Sequence, residues 1–215
     1  MFITFEGIEG SGKTTQIALL AEWLTTRTGK VPVSTREPGG CPIANQIRGI
    51  LLDSANRDMT GRAELLLYAA ARAQHVAEVI RPALDRGQVV LCDRYCDATV
   101  AYQGFGRGLS RTMIMELNCL ATDGTLPDLT LLLDFAPQTG LERACQRNAA
   151  TSGPDEGRFE QEALDFHQRV RDGYLALAAE HPRFRIIDAT GSQQDVAKRI
   201  RATVADYLQA RHNDL

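Results

Sequence analysis

Residues 7–14 read Gly7-Ile8-Glu9-Gly10-Ser11-Gly12-Lys13-Thr14, which fits the pattern G-x-x-x-x-G-K-[ST]. A short apolar segment, residues 2–5, precedes this stretch, and a helical pattern over residues 15–27 follows it. In such a unit the glycines let successive backbone N–H groups surround a phosphate, and the helix directs its positive end at the same anion. The stretch therefore predicts a phosphate-binding loop, or P-loop, at residues 7–14.

Two side chains of the P-loop suit a nucleoside triphosphate with its magnesium ion. Lys13 can reach the β- and γ-phosphates, and the Thr14 hydroxyl can bind Mg²⁺. Asp93 directly follows another apolar segment and is the expected second magnesium ligand, because a carboxylate at the end of a strand can lie beside the phosphates. Asp134 ends a similar segment and is an alternative, but the adjacent Arg94 favours Asp93.

Short apolar runs alternate with longer helical patterns along the chain. Several runs lack the alternation of a half-exposed strand, which indicates strands covered on both faces. They are residues 2–5, 31–35, 89–92, 130–133 and 184–187. The helical patterns cover residues 15–27, 61–85, 111–121, 159–180 and 193–210. This alternation predicts an α/β protein of the P-loop NTPase fold, with a five-stranded parallel sheet flanked by helices.

The composition fits one globular domain. The chain has 215 residues, 24% of them charged, and a formal net charge of -3. We expect a single domain over residues 1–215, and the negative charge argues against a nucleic acid polymer as a partner. No apolar run is long enough for a membrane span, so no membrane partner is expected. The five cysteines lack paired spacing, which favours reduced thiols and a cytoplasmic location.

Two further features predict no additional site. The four histidines are scattered without the spacing of metal ligands, so we expect most of them to be surface or helix residues. Residues 104–108 contain G-x-G-x-G, but no strand precedes them. We therefore expect a flexible loop there and no dinucleotide site.

The P-loop alone leaves open a kinase, a motor or a switch. The guanine-binding N-K-x-D of GTPases is absent from the sequence. Together with the P-loop, three stretches resemble the thymidylate kinase family: TREPGG at 35–40, DRY at 93–95 running on to AYQG at 101–104, and GRFE at 157–160. They occur in family order, and the similarity spans nearly the whole chain. The resemblance implies phosphorylation of dTMP by ATP, and a homodimer.

The resemblance also implies a role for each matching side chain. Glu9 would contact the 3′-hydroxyl of the acceptor nucleotide, and Arg36 and Arg94 would grip its monophosphate through forked hydrogen bonds. Tyr68 would stack on thymine while Arg72 donates to a base carbonyl. The implied dTMP site comprises Glu9, Arg36, Tyr68, Arg72, Arg94, Thr99, Tyr102 and Gln103, with Tyr102 under the deoxyribose. The implied ATP site comprises Gly7, Ile8, Glu9, Gly10, Ser11, Gly12, Lys13, Thr14, Thr15 and Arg143.

Structural explanations remain open for some of these residues. Tyr68 and Tyr102 could be core aromatic residues with solvated hydroxyls. Arg72 could be a surface charge on a helix, although no acid stands three or four residues away from it.

The resemblance places a mobile lid at about residues 142–158. Some family members carry an arginine in the P-loop, where this chain has Gly10. The chain therefore resembles the bacterial type, in which the lid supplies the cation. The candidates are Arg143, Arg147 and Arg158, and we expect Arg147 and Arg158 to be catalytic together with Lys13, Glu9, Asp93 and Arg94. A solvated charged helix followed by a surface loop is the alternative.

The sequence thus predicts a kinase that transfers phosphate from MgATP to dTMP, giving dTDP and ADP in dTTP biosynthesis. Thr14 and Asp93 are the expected magnesium ligands. A kinase for another pyrimidine monophosphate is one alternative. A P-loop ATPase switch without a small acceptor is the other.

Overall fold

The computed structural model describes residues 1–150 and 158–213, with side chains for residues 1–146 and 158–211. A five-stranded sheet runs through its centre in the order β2-β3-β1-β4-β5, and every neighbouring pair is parallel. The strands are β1 Phe2–Glu6, β2 Val33–Arg36, β3 Val90–Asp93, β4 Leu129–Asp134 and β5 Phe184–Asp188. The predicted α/β class and all five predicted strands are confirmed, with ends shifted by one or two residues.

Helices cover both faces of this sheet, and every residue of the central strand β1 is buried. The α-helices are α1 Lys13–Thr28, α2 Pro42–Leu52, α3 Gly61–His75, α4 Arg81–Asp85, α5 Cys96–Thr99, α6 Arg111–Thr122, α7 Pro137–Ala150, α8 Leu164–Glu180 and α9 Gln193–Asn213. Two π-helical segments, Val76–Ile80 and Val100–Gly106, continue α3 into α4 and extend α5. None of the helices within the described ranges is long and apolar enough to cross a membrane.

The expected flexible loop at residues 104–108 is wrong for its first half. Gly104 and Gly106 are buried and belong to the π-helical segment Val100–Gly106. A Cβ on Gly106 would lie 2.6 Å from the ring of Phe166 in α8, and a Cβ on Gly173 would lie 2.7 Å from Phe105. The glycines are therefore required by the close approach of two helical segments. In the sequence, the same glycine pattern resembles that of a flexible loop.

Two further helix predictions need correction. The pattern over residues 159–180 suggests one helix, but α8 begins only at Leu164, after a turn that includes Phe159. Helix α2 was not predicted, although its apolar residues Ile43, Ile47, Ile50 and Leu51 recur at helical spacing. A proline stands in its first turn, where the missing N–H costs nothing.

Candidate active site

One cavity of about 1460 Å³ opens at the edge of the sheet where β1, β2 and β3 end. Parallel strands direct their carboxyl ends to the same edge, so the loops that follow them meet there. The structure brings most of the predicted site residues to the lining of this cavity. They are Glu9, Gly10, Ser11, Gly12, Lys13, Thr14, Thr15, Arg36, Tyr68, Arg72, Asp93, Arg94, Thr99, Tyr102, Gln103 and Arg143.

The P-loop joins β1 to α1 and packs against α7. Gly10 has a φ of 70°, and a Cβ at this position would lie 2.1 Å from the carbonyl oxygen of Gly140. A Cβ on Gly140 would in turn lie 2.5 Å from the carbonyl oxygen of Glu9. Both glycines are thus required by a backbone contact, and the P-loop is held against the first turn of α7.

Lys13 is buried beneath the loop. Its Nζ donates hydrogen bonds to the carbonyl oxygens of Gly7 and Ile8, at 3.1 and 3.0 Å, and to the Ser11 hydroxyl at 3.2 Å. Burial and the nearby charge of Arg94 lower the pKa of Lys13 to about 8. The ammonium group is therefore preorganised in the loop and gains from an anion placed beside it.

Thr14 and Asp93 lie together, as expected for two magnesium ligands. The Thr14 hydroxyl donates to Asp93 Oδ2 at 2.9 Å. The alternative ligand Asp134 instead accepts two bonds from Arg171, at 2.7 and 2.8 Å. Among the described residues, no group of three or more His, Cys, Asp or Glu side chains could hold a metal. The oxygen pair fits Mg²⁺ as it binds with nucleotide phosphates, through few protein ligands.

Arg94, directly after β3, and Glu9, within the P-loop, form a polar cluster at the cavity. Arg94 Nη2 donates to Glu9 Oε1 at 3.1 Å and to the Tyr102 hydroxyl at 2.9 Å, and Nη1 donates to the Gly7 carbonyl at 2.8 Å. The Tyr102 hydroxyl donates to the same Glu9 oxygen at 2.6 Å. Burial raises the pKa of Glu9, but its contact with His167 and the charge of Arg94 outweigh burial and bring the pKa to about 2. Glu9 is thus a carboxylate at neutral pH.

Arg94 also has an unusual backbone. Its φ is 68°, in the left-handed region that residues with a Cβ rarely adopt. Its N–H donates to the carbonyl oxygen of Phe5 at the end of β1. Strained conformations of this kind concentrate at functional sites, where the surroundings hold them.

Arg72 is fixed in the cavity wall by four hydrogen bonds. Nε donates to Glu37 at 2.7 Å, Nη1 to Asn118 at 2.7 Å, and Nη2 to the Tyr95 carbonyl and the Thr99 hydroxyl at 3.1 and 2.9 Å. The side chain is 2% exposed, so Arg72 is not a surface charge on a helix. Within the part of the chain that the structure describes, these bonds account for four of its five N–H hydrogens and leave one hydrogen on Nη1 without a partner.

Comparison with known proteins now settles the family. The family model described as thymidylate kinase matches residues 5–200. The chain belongs to the thymidylate kinase family. A curated thymidylate kinase of Trichlorobacter lovleyi is 62% identical over 209 residues, which are 97% of this chain and 98% of that protein. A second, from Syntrophotalea carbinolica, is 60% identical over 208 residues, 96% of each chain.

A solved structure agrees with this result. The crystal structure of thymidylate kinase from Ehrlichia chaffeensis superposes with a TM-score of 0.76 at 33% identity, over 95% of this chain and 98% of that chain. The expected P-loop NTPase fold and the family resemblance are therefore confirmed.

Four further residues of the expected thymidylate site line the cavity. Tyr68 and Arg36 line the cavity from α3 and from the end of β2. Gln103 lines it too, but its Nε2 donates to Glu64 at 2.7 Å, inside the protein. Tyr102 packs edge-on against Phe159, so it is both a core aromatic residue and part of the cavity wall.

The three candidate lid arginines of this thymidylate kinase fold differ in their placement. Arg143 lines the cavity, with its guanidinium 5.1 Å from the ring of Phe135. Arg158 is 3% exposed, pairs with Glu64 at 2.7 Å and is not part of the cavity lining. The Arg147 side chain and residues 151–157 lie outside the described residues. The structure thus brings Arg143 to the site and places Arg158 in a buried ion pair.

Four residues that support the site were not predicted. Glu6 ends β1 and Glu37 directly follows β2, so each is an acid at the edge of the sheet where the cavity opens. That position could have identified both as candidate site residues from the sequence. Burial and the nearby Asp97 raise the pKa of Glu6 to about 8. His167 and Tyr174 lie on α8, and only their seven-residue spacing in a helical pattern places them on one face. His75 and His167 are helix residues, as expected for most of the histidines, and their side chains are fully buried.

Proposed function

We propose that this chain is a thymidylate kinase that transfers the γ-phosphoryl group of ATP to dTMP, giving ADP and dTDP for dTTP synthesis. The observation that carries the proposal is the shared cavity, which is lined both by the P-loop and by a second set of charged side chains, Arg36, Arg72 and Arg94. A switch or motor needs only the first of these two halves. A kinase needs both, because donor and acceptor phosphates must meet in one place.

At the donor end, the P-loop amides and Lys13 would hold the β- and γ-phosphates of ATP. Lys13 is held by loop carbonyls and a hydroxyl, all of which are neutral acceptors. A phosphate anion is therefore a stronger acceptor for the Lys13 ammonium group than its present neutral partners. The bound phosphate would stabilise the protonated form and raise the lowered pKa again.

Thr14 and Asp93 would hold Mg²⁺ beside these phosphates. The ion supplies charge neutralisation for the oxygens of the transferring group. Their side-chain oxygens already meet at 2.9 Å, so the protein offers both ligands from one point at the sheet edge. Asp134 cannot serve without breaking its two bonds to Arg171.

At the acceptor end, Arg94 and the exposed Arg36 would grip the dTMP phosphate. The donors of Arg94 that face the cavity now bind neutral oxygens and Glu9. A phosphate dianion is the stronger acceptor, and a forked guanidinium orients it. Glu9 lies next to this position as an anion, suited to accept a hydrogen bond from the sugar hydroxyl.

Arg72 would read the base through its remaining Nη1 hydrogen, with Tyr68 on the ring face. A single fixed donor favours a ring that offers a carbonyl oxygen and disfavours one that offers an amino group there. The four bonds that hold Arg72 reduce the entropy lost when the base binds. We also place Arg143, and Arg147 by resemblance, beside the transferring phosphate.

A homodimer is proposed for the assembly. Helix α3 packs against both α2 and α6, and these three helices expose large apolar side chains. They are Ile43, Ile50, Leu66, Met115 and Leu120, which are between 49% and 79% exposed. Covering such a surface with a second copy would stabilise both. The cytoplasmic location expected from the cysteines stays a prediction.

A panel of acceptors tests the reaction. ADP release from MgATP would be measured with dTMP, dUMP, dCMP and no acceptor. We expect dTMP to give the highest kcat/KM and acceptor-free turnover to be negligible. A clear preference for another monophosphate would contradict the assigned acceptor, and equal turnover without any acceptor would indicate an ATPase instead.

A further inference from the structure

Helix α8 presents two polar side chains on its otherwise apolar buried face. This face packs on the π-helical segment Val100–Gly106 and carries Phe166, Val170 and Leu177. His167 and Tyr174, seven residues apart, stand on it with 1% exposure each. Buried polar groups are costly in a core unless they serve a contact.

Tyr174 reaches the underside of Arg94. Its hydroxyl accepts a hydrogen bond from Arg94 Nη1 at 3.0 Å and donates one to Glu6 Oε2 at 2.8 Å. The other oxygen of Glu6 accepts a bond from the backbone N–H of Tyr95 at 2.8 Å. Glu6 and Tyr174 therefore hold both the side chain of Arg94 and the peptide that follows its strained backbone.

His167 reaches Glu9 from the side away from Arg94. Its Nδ1 lies 3.2 Å from Glu9 Oε2, while Oε1 accepts the bonds from Arg94 and Tyr102. The angles fall short of a hydrogen bond, so Glu9 Oε2 and both ring nitrogens of His167 have no hydrogen-bond partner among the described residues. The two oxygens of the Glu9 carboxylate thus contact different elements, and Oε2 is the one that faces α8.

Neither residue belongs to the lining of the cavity. An effect of His167 or Tyr174 on a ligand therefore passes through lining residues that they contact, of which Glu9 and Arg94 are the charged ones. The edge of the Phe166 ring packs on His167 with centroids 5.4 Å apart, and Tyr102 packs on Tyr174 at 6.2 Å, which restricts both rings.

We propose that His167 and Tyr174 are positioning residues for the acceptor nucleotide: His167 sets Glu9 for the sugar 3′-hydroxyl, and Tyr174 sets Arg94 for the monophosphate. This inference rests on the proposed function, and it assigns a separate role to each of the two residues. Both residues lie on α8, so one helix orients both halves of acceptor recognition.

The test of His167 uses two acceptors, dTMP and its 3′-deoxy analogue. His167→Leu removes the ring nitrogens and should raise the KM for dTMP about fivefold or more while the KM for ATP stays within about twofold. The preference for dTMP over the 3′-deoxy analogue should shrink by a similar factor, because the lost contact acts through the 3′-hydroxyl. His167→Asn, which places an amide nitrogen near the position of Nδ1, should restore most of the preference.

Tyr174→Phe should give a different pattern. It keeps the ring and removes only the hydroxyl, so the KM should rise by the same factor for dTMP and for the 3′-deoxy analogue, with their ratio unchanged. His181→Leu and Tyr207→Phe are matched controls outside the site and should leave all constants within about twofold of wild type.

The outcomes separate this inference from the proposed function. A wild-type protein without dTMP-dependent ADP release would refute the function itself. If the wild-type protein is active and His167→Leu keeps the wild-type preference for dTMP over the 3′-deoxy analogue, the role of His167 is overturned. An unchanged KM for dTMP in Tyr174→Phe would overturn the role of Tyr174. If His167→Leu fails to fold, His167→Gln places its amide away from the Nδ1 position and must show the same loss of preference.

Discussion

Lys13 is the residue on which donor binding depends most. Its Nζ lies under the P-loop, bonded only to neutral oxygens of that loop. We predict that Lys13→Ala lowers kcat about 100-fold or more, because it removes a preorganised cation from the transferring phosphate. Steady-state ADP release measures the effect. Lys30→Ala, at an exposed position, is the control, and near-normal turnover of Lys13→Ala would refute the assigned role.

Arg72 is the residue to which the proposed function assigns recognition of the base. Because its four bonds need the planar fork, Arg72→Lys keeps the charge beside Glu37 but cannot reach all four acceptors. We predict a rise of about tenfold or more in the KM for dTMP and a change within about twofold in the KM for ATP. Equal changes in both constants would indicate a structural role alone.

At this scale the sequence predicted the side chains of the P-loop and of the strand ends better than the side chains that form hydrogen bonds to the predicted site residues. Lys13, Thr14, Asp93 and Arg94 follow from a motif or from a strand end. Glu37 stood within a quoted stretch but received no role, since its bond to Arg72 joins residues 35 apart. Hydrogen bonds between residues so far apart in the chain are formed by the fold, and no local sequence pattern predicts them.

At the scale of elements, the contact between the P-loop and α7 is the tightest feature of the site. A Cβ on Gly140 would lie 2.5 Å from a P-loop carbonyl oxygen. We predict that Gly140→Ala lowers the free energy of unfolding by about 1–3 kcal/mol, because a backbone cannot move aside as a flexible side chain can. It should also raise the KM for ATP more than that for dTMP.

The matched control for this substitution is Gly61→Ala. Gly61 begins α3, has an ordinary helical backbone, and a Cβ there would meet Leu109 at 3.7 Å, which is normal van der Waals contact. The free energy of unfolding of Gly61→Ala should differ from that of the wild type by less than about 0.5 kcal/mol. Denaturant unfolding measures both variants. Equal stability of the two would contradict the close contact between α7 and the loop.

The elements also show where sequence reasoning works. The central strands β1, β3 and β4 are buried and mostly apolar, and the partly exposed edge strands β2 and β5 were found as short apolar segments between helical patterns. Long amphipathic patterns predicted α1, α3, α6 and α9. The π-helical segment Val100–Gly106 was not predicted, because glycines that permit close helix packing resemble loop signals. Helix α2 was not predicted either.

At the scale of the whole molecule, the exposed apolar face of α2, α3 and α6 predicts self-association. Leu66 on α3 is 57% exposed between the two flanking helices. We predict that the wild-type protein is a dimer and that Leu66→Glu is a monomer, since a charge in an apolar interface is costly. Size-exclusion chromatography with light scattering measures the mass. Val31→Glu, in another exposed part of the surface, should remain dimeric.

A monomeric wild-type protein would contradict the proposed assembly. It would not affect the reaction, because the cavity is formed by one chain.

The central claim is that one cavity brings ATP and dTMP together over the sheet edge. A crystal structure with dTMP and a non-hydrolysable ATP analogue tests it most directly. The account predicts the dTMP phosphate on Arg94, its sugar hydroxyl at Glu9, and the triphosphate in the P-loop. A pyrimidine nucleotide bound far from Arg94 would contradict it.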